Sequence, residues 1–307
     1  MHYEELVRFL EEHGVRASLL EDVDHFRKTY HTDEVDRIPS PIYKYYGVEI
    51  WEKAITALLE GHHILLSGPK ATGKNVLTEN LSLLFGRPQY NISMNVTSDA
   101  QGLIGADTFR GGEVTLRPGP VTAAALSGGF AVLDEINMAK NEAMSVIHSA
   151  LDYRRIIDVP GYDLIHLHEA CRFIGTMNYG YIGTRELNEA LVSRFLVIHM
   201  HTMSPEDFHA ILRDKTHLTE EAINLLSRLF LDLQEKSLYG EISSKAIDMR
   251  GLLGAVSLME RGLGIYPALA MGMVDKCFDD YEKSLVEDVI RSLIPEDTKS
   301  QDFFYDR

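Results

Sequence analysis

The chain has 307 residues, of which 45% are hydrophobic and 25% charged, and its formal net charge is −16. That length allows two ordinary domains, or one large domain with an appendage, in a composition typical of soluble globular proteins. The acidic balance speaks against a general nucleic-acid binder, whose footprint would be basic.

Residues 1–40 read as an N-terminal helical extension and linker. Leu6, Phe9 and Leu10 put an apolar stripe on one short helix that Gly14 stops, and a polar, charge-mixed stretch then runs to RIPSPIY. Two prolines so close together suggest an extended arm. The opening MHYEELVRFLEEHG is acidic where a signal peptide would be basic.

Residues 41–203 carry the pattern of an α/β domain. The runs HILLS, QYNISM, FAVLD, RFIGTM and FLVIHM are nearly continuous in apolar residues, as strands of a parallel sheet buried on both faces are. Between the first two, Leu77, Leu81, Leu84 and Phe85 form the buried stripe of a helix that Gly86 and Pro88 end.

From 204 to 307 only helical patterns remain. They are PEDFHAILRDK, TEEAINLLSRLFLDLQEK with its start signal at Thr219, SKAIDMRGLLGAVSLMERG, and one long run from Pro267 to Leu293. The tail PEDTKSQDFFYDR reads as polar and frayed. The longest uncharged run, 262–274, is too short to span a bilayer and is interrupted by glycines and a proline. Two cysteines, Cys171 and Cys277, are too few for a disulfide framework and fit buried thiols in a reducing cytosol. Together these features point to the cytoplasm.

Three motifs carry chemistry. The first is GPKATGKNV, comprising Gly68, Pro69, Lys70, Ala71, Thr72, Gly73, Lys74, Asn75 and Val76, with the spacing G-x-x-x-x-G-K between a strand and a helix. Its glycines let backbone N–H groups turn toward phosphate oxygens, the helix start adds its positive end, and Lys74 reaches the outer phosphates. Asn75 stands where such loops carry a metal-binding Ser or Thr. Its amide oxygen would be a weaker ligand, held to the metal directly or through a water, which puts the hydrolysis rate in doubt.

FAVLDEIN ends the next long buried strand in Asp134 and Glu135, about sixty residues after the lysine. Asp134 suits the metal's water shell, and Glu135 suits a general base on the attacking water. RFIGTMN ends a further buried strand in Asn178, an amide able to bridge that water and the γ-phosphate. The histidines His62, His63, His166, His168, His199 and His201 lack metal-ligand partners at useful spacing and read as loop and strand residues.

In this order the motifs resemble those of AAA+ ATPases, and most of all the MoxR-like branch of the NorQ/CbbQ/GvpN type. The resemblance covers residues 47 to about 255 and rests on GPKATGK, SDAQGLIGADTF, RPGPVTAAALSGG, LDEIN, FIGTMN and GTRELNEALVSRF. It implies a five-stranded parallel sheet of order 5-1-4-3-2, a small helical lid, and ATP with Mg²⁺ as ligands. Tyr46, Gly47 and Val48 would flank the adenine, with Trp51 packing its helix. Inserted hairpins would lie within 103–121 and 153–172, the second turning at Pro160-Gly161.

The resemblance further implies a homo-oligomeric ring, with six subunits expected. In it Arg194 would complete the neighbour's site as an arginine finger, with Arg185 a lesser candidate. The lid arginine has two rivals, Lys245, slightly favoured, and Arg250. The function implied is a chaperone or remodelling ATPase acting on a client complex with a von Willebrand factor A partner, without direct membrane insertion. The alternative is a nucleotide-binding scaffold with little hydrolysis, which Asn75 and Lys245 motivate. A DNA motor is disfavoured by the acidic balance.

Overall fold

The computed structural model describes residues 1–178 and 187–305. They fall into two units, Met1–His201 and Thr202–Arg307. In the first, α1 (Tyr3–Glu12), α2 (Ala17–Thr29) and α3 (Val48–Leu59) precede β1 (Ile64–Gly68), α4 (Lys74–Phe85) and β2 (Gln89–Ser93). Then follow α5 (Ala100–Ile104), β3 (Gly105–Arg110), β4 (Glu113–Pro118), α6 (Pro120–Ser127) and β5 (Phe130–Asp134). The unit closes with α7 (Asn141–Ser145), α8 (His148–Leu151), β6 (Ile156–Ile157), β7 (Ile165–His166), β8 (Arg172–Asn178), α9 (Glu189–Val192) and β9 (Leu196–His199).

Five strands form one parallel sheet of order β2-β5-β8-β1-β9. This numbering departs from 5-1-4-3-2 because the antiparallel hairpins β3-β4 and β6-β7 take numbers of their own outside that sheet. Counted without them and read from the β9 edge, the order is 5-1-4-3-2.

The continuous apolar runs make sense from the two faces. Ile64, Leu66, Val132 and Ile174 join one hydrophobic cluster, while Leu65, Leu133 and Phe173 join another on the opposite face. Alternate side chains point opposite ways, so a strand covered on both sides needs apolar residues at every position.

Residues 1–40 are more than an arm. The stretch expected to be polar forms α2, whose Leu19, Leu20, Val23 and Phe26 share a core with Leu6, Phe9 and Leu10 of α1 and with α3 and α4. The helical spacing of those four was masked by the charges between them. Arg27 of α2 donates to the carbonyls of Leu83 (2.7 Å) and Leu84 (3.0 Å), satisfying orphan acceptors at the end of α4.

The second unit holds α10 (Pro205–Lys215), α11 (Glu220–Leu238), α12 (Met249–Glu260), α13 (Ile265–Gly272) and α14 (Asp280–Leu293). Thr219 caps α11 as expected, its side chain accepting from Ala222 N–H at 3.2 Å. The single helix expected over 267–293 is broken between α13 and α14. Gly272 packs so closely on Gly251 that a Cβ would meet its carbonyl at 2.5 Å, and Asp279 opens α14 by accepting from Glu282 N–H at 3.0 Å. Up to Tyr305 the tail is docked rather than frayed, with Phe303 buried, Phe304 bridging to Leu218 and Ser300 donating to Leu263 O at 2.7 Å. Among the described residues no helix is long and apolar enough to cross a membrane.

Candidate functional site

Parallel register brings the chemistry to one end of the sheet, where the strands stop. Gly68 at the end of β1 stands opposite Asn178 at the end of β8, and Ser93 of β2 stands opposite Asp134 at the end of β5. The loop after β1 then bends through Ala71 at φ 61° and Gly73 at φ 79°, both left-handed. Gly68 admits no side chain, since a Cβ would lie 2.4 Å from Met200 O. The first backbone bond into α4 runs from Leu77 N–H to Gly73 O at 2.9 Å, so the amides before it have no helical carbonyl to reach. Such donors at a helix start suit an anion.

Lys74 is buried at the centre of this loop. Its Nζ donates to Gly68 O at 2.9 Å, Pro69 O at 2.6 Å and Thr72 Oγ1 at 3.2 Å. Burial pulls its pKa down to about 8, against the opposing pull of Asp134 and Glu135. A phosphate in the loop would offset that desolvation with negative charge and hold the ammonium charged.

On the acidic side, Asn75 donates from Nδ2 to Asp134 Oδ2 at 3.1 Å. A carboxylate only accepts, so the amide turns its nitrogen toward it. Thr176 Oγ1 donates to the other oxygen, Asp134 Oδ1, and accepts from Glu135 N–H at 3.1 Å. Asn178 Nδ2 donates to Glu135 Oε1 at 3.3 Å, and Asn137 Nδ2 donates to Asn178 O at 3.2 Å. Four sequence-predicted residues, Asn75, Asp134, Glu135 and Asn178, are thus joined, with Thr176 between the two acids.

The magnesium reading can be tested against these donors. Among the described residues no three of His, Cys, Asp or Glu gather as a metal cage. Mg²⁺ in nucleotide sites needs only one or two carboxylates beside phosphate oxygens and waters. Asp134, with Asn75 at its side, meets that requirement.

The segment before α3 reaches the loop through Tyr45. A Cβ on Gly73 would lie 3.1 Å from the Tyr45 ring, and one on Gly47 would lie 3.2 Å from it. Asn80, wholly buried on α4, anchors this segment by donating to Tyr43 O at 2.9 Å and accepting from Tyr45 N–H at 3.3 Å. Trp51 packs its helix and donates to Tyr45 O at 2.9 Å. Tyr46 turns its ring to Phe9 and His13 of α1, with centroids 5.1 and 5.6 Å away, while Val48 opens α3.

The other expected residues have partners of their own. Arg194 donates to His148 O at 3.2 Å and to Ala190 O, with Asp152 at 3.8 Å. Lys245 and Arg250 belong to the second unit, where Lys245 lies 4.8 Å from the Phe278 ring centroid and Arg250 is 3.7 Å from Asp248. Arg185 lies outside the described residues. Sequence reasoning missed Thr176, Asn80 and Tyr45. Thr176 could have been found as a hydroxyl in an apolar strand, two residues before Asn178, and Asn80 as an amide on the buried side of α4.

A glycine loop closed on a lysine, an acid pair at a neighbouring strand end and an amide facing it define a P-loop ATPase. Residues 63–195 match the family model described as AAA domain (dynein-related subfamily). The chain is 35% identical over 248 residues to the uncharacterized protein YojN of Bacillus subtilis, covering 78% of this chain and 81% of that one. It is 31% identical over 235 residues to the uncharacterized protein SH1500 of Staphylococcus haemolyticus, covering 74% and 89%. A candidate ATPase of known structure from Cytophaga hutchinsonii aligns at 16% identity and a TM-score of 0.44, over 89% of this chain and 97% of that one. The chain therefore belongs to the same family as YojN, and its residues 63–195 carry an AAA domain.

Proposed function

We propose that this ATPase depends on Mg²⁺, belongs to the MoxR-like branch, and works as a ring of six to remodel or activate a partner complex. The observation that carries the hydrolytic part is the Glu135 carboxylate held by Asn178, next to an Asp134 held by Asn75. Bound magnesium would neutralise charge developing on the transferring phosphoryl group. Around it, Lys74 and the loop amides bind the triphosphate, and Asp134 with Asn75 orients the metal's oxygen shell. Glu135 accepts a proton from the attacking water, and Asn178 fixes the carboxylate that does so.

The remodelling part draws support from the two hairpins. Each leaves the nucleotide-binding core, and the Tyr162 hydroxyl donates to Asp107 Oδ1 at 2.8 Å, tying the second insertion to the first. In this reading the second unit is a lid, with Lys245 or Arg250 sensing the γ-phosphate, and Arg194 serves the neighbouring subunit's site. The partners are a von Willebrand factor A protein and its client complex, in the cytoplasm. A scaffold that binds ATP without turning it over is the second reading, favoured by Asn75.

The test compares phosphate release by the wild type and Glu135→Gln, with and without Mg²⁺, and identifies proteins retained by the variant in ATP. Magnesium-dependent turnover lost in the variant, with a specific complex retained, supports remodelling. Wild-type turnover no higher than the variant's leaves the scaffold.

A further inference from the structure

We propose that Thr176 is the positioning residue of this site: one buried hydroxyl sets both the Asp134 carboxylate and the backbone of Glu135. The inference rests on the reading of Glu135 as the base that activates water. Thr176 is 1% exposed, near the end of a strand whose preceding positions from Arg172 are all buried. Valine would fill such a position with nearly the same shape, so the hydroxyl calls for its own explanation. Its proton goes to Asp134 Oδ1, and its oxygen accepts the N–H of Glu135 at 3.1 Å. Both recorded hydrogen bonds of the hydroxyl thus go to the two acids.

Glu135 gives that second bond a task. Its backbone sits at φ 55° and ψ 46°, a left-handed conformation shared among the described non-glycine residues only with Ala71 and Arg155 in sign of φ. A residue with a Cβ stays there only where its surroundings hold it. The Thr176 hydroxyl holds the Glu135 amide from β8, and two residues later Asn178 holds the Glu135 carboxylate from the same strand. The acid is fixed at both ends by one neighbour. Because Asn75 takes Oδ2 of Asp134, Thr176 on Oδ1 also completes the grip on that carboxylate. A shift of about 1 Å in a reacting group can lower a rate roughly 10²-fold, so this anchoring belongs to turnover and not to ligand affinity.

The experiment pairs Thr176→Val with Thr176→Ser, and reads hydrogen exchange at the Glu135 amide alongside kcat and KM for ATP. The expected result is a slow amide in wild type and Thr176→Ser and a fast one in Thr176→Val. With it, kcat should fall roughly 10²-fold in the valine variant, KM should stay within about threefold, and serine should restore most of the rate. Retained protection and rate in Thr176→Val would overturn the proposal, as would equal loss of rate in both variants. Should the valine variant not fold, the wild type decides, because a rapidly exchanging Glu135 amide is incompatible with the bond. A wild type without hydrolysis would break the reading of Glu135 as base, and exchange would still show whether Thr176 holds it.

Discussion

The two ends of the parallel sheet treat buried charge in opposite ways. At the end where the strands begin, Arg87 donates to Gly128 O at 2.8 Å, Ser127 O at 3.0 Å and Tyr30 O at 2.5 Å, closing α6 and α2. Arg172 donates to Leu58 O at 2.8 Å, Cys171 O at 2.9 Å and Glu169 O at 2.5 Å, closing α3 near its end. Helix C-termini offer orphan carbonyls and a negative dipole end, and with the turn carbonyls before β8 they answer these cations by fixed architecture. At the end where the strands stop, Lys74 also leans on carbonyls, but they belong to the loop around it. Nearby stand two acids steadied by neutral side chains. A buried cation satisfied by helix ends is structural, whereas one enclosed by a glycine loop is poised for a ligand.

Substitution at each end should break different properties. Glu135→Gln should give the largest effect, lowering hydrolysis by about 10²–10⁴-fold while ATP still binds. Phosphate release and calorimetry on the same sample would check both halves, and a variant that hydrolyses normally would remove Glu135 as base. The cations come next. Arg87→Met leaves one buried and two half-buried carbonyls without their donor, a loss of about 2 kcal/mol or more in unfolding free energy. Its folded fraction should bind ATP as the wild type does. Lys74→Met should reverse the pattern, weakening ATP by roughly 10–100-fold with a smaller loss of stability. The loss is smaller because the desolvation of the buried ammonium offsets the bonds it makes to Gly68 O, Pro69 O and Thr72 Oγ1. Urea melts beside ATP titrations would show it, and matching behaviour of the two variants would erase the distinction between the ends.

Much of the ligand-facing end was legible in the sequence because its residues have local signatures. Gly68, Gly73 and Lys74 sit at a spacing that few other tasks require, and the Asp134-Glu135 pair and Asn178 each end a nearly continuous apolar run. The register that joins them is non-local and could only be expected from the resemblance. Thr176 was passed over because threonine is an ordinary strand residue, and only the third dimension shows both acids meeting its hydroxyl. Arg87 and Arg172 were illegible for the same reason, since their partners lie on helices remote in the chain. The helix α2 was hidden by composition, its four apolar residues spread among charges.

A smaller effect sharpens the ligand-facing end. Asn75→Thr replaces the amide that donates to Asp134 with a shorter hydroxyl that can donate to the carboxylate and face a metal oxygen shell. Hydrolysis should rise by about fivefold, the worth of one ordinary hydrogen bond, or the Mg²⁺ requirement should tighten. Loss of both would mean that the amide has a task the hydroxyl lacks.

The smallest effect is the proton on Lys74. Burial moves its pKa from 10.5 to about 8, so the native protein releases this proton at lower pH than the unfolded chain does. Below about 8 both states hold it, and the group adds no slope to stability. Between about 8 and 10.5 the unfolded chain binds more protons, so this group makes the ligand-free protein more stable as pH rises. Bound triphosphate should hold the ammonium charged, flatten that slope, and draw a proton from buffer on binding above pH 8. Arg87 offers no such signal, since an arginine stays charged throughout this range. Calorimetry in two buffers of different ionisation enthalpy measures the proton directly. Lys74→Met should abolish the uptake and Arg87→Met should preserve it, while equal uptake in both variants would assign the proton to some other group and leave Lys74 as inert a cation as those at the far end of the sheet.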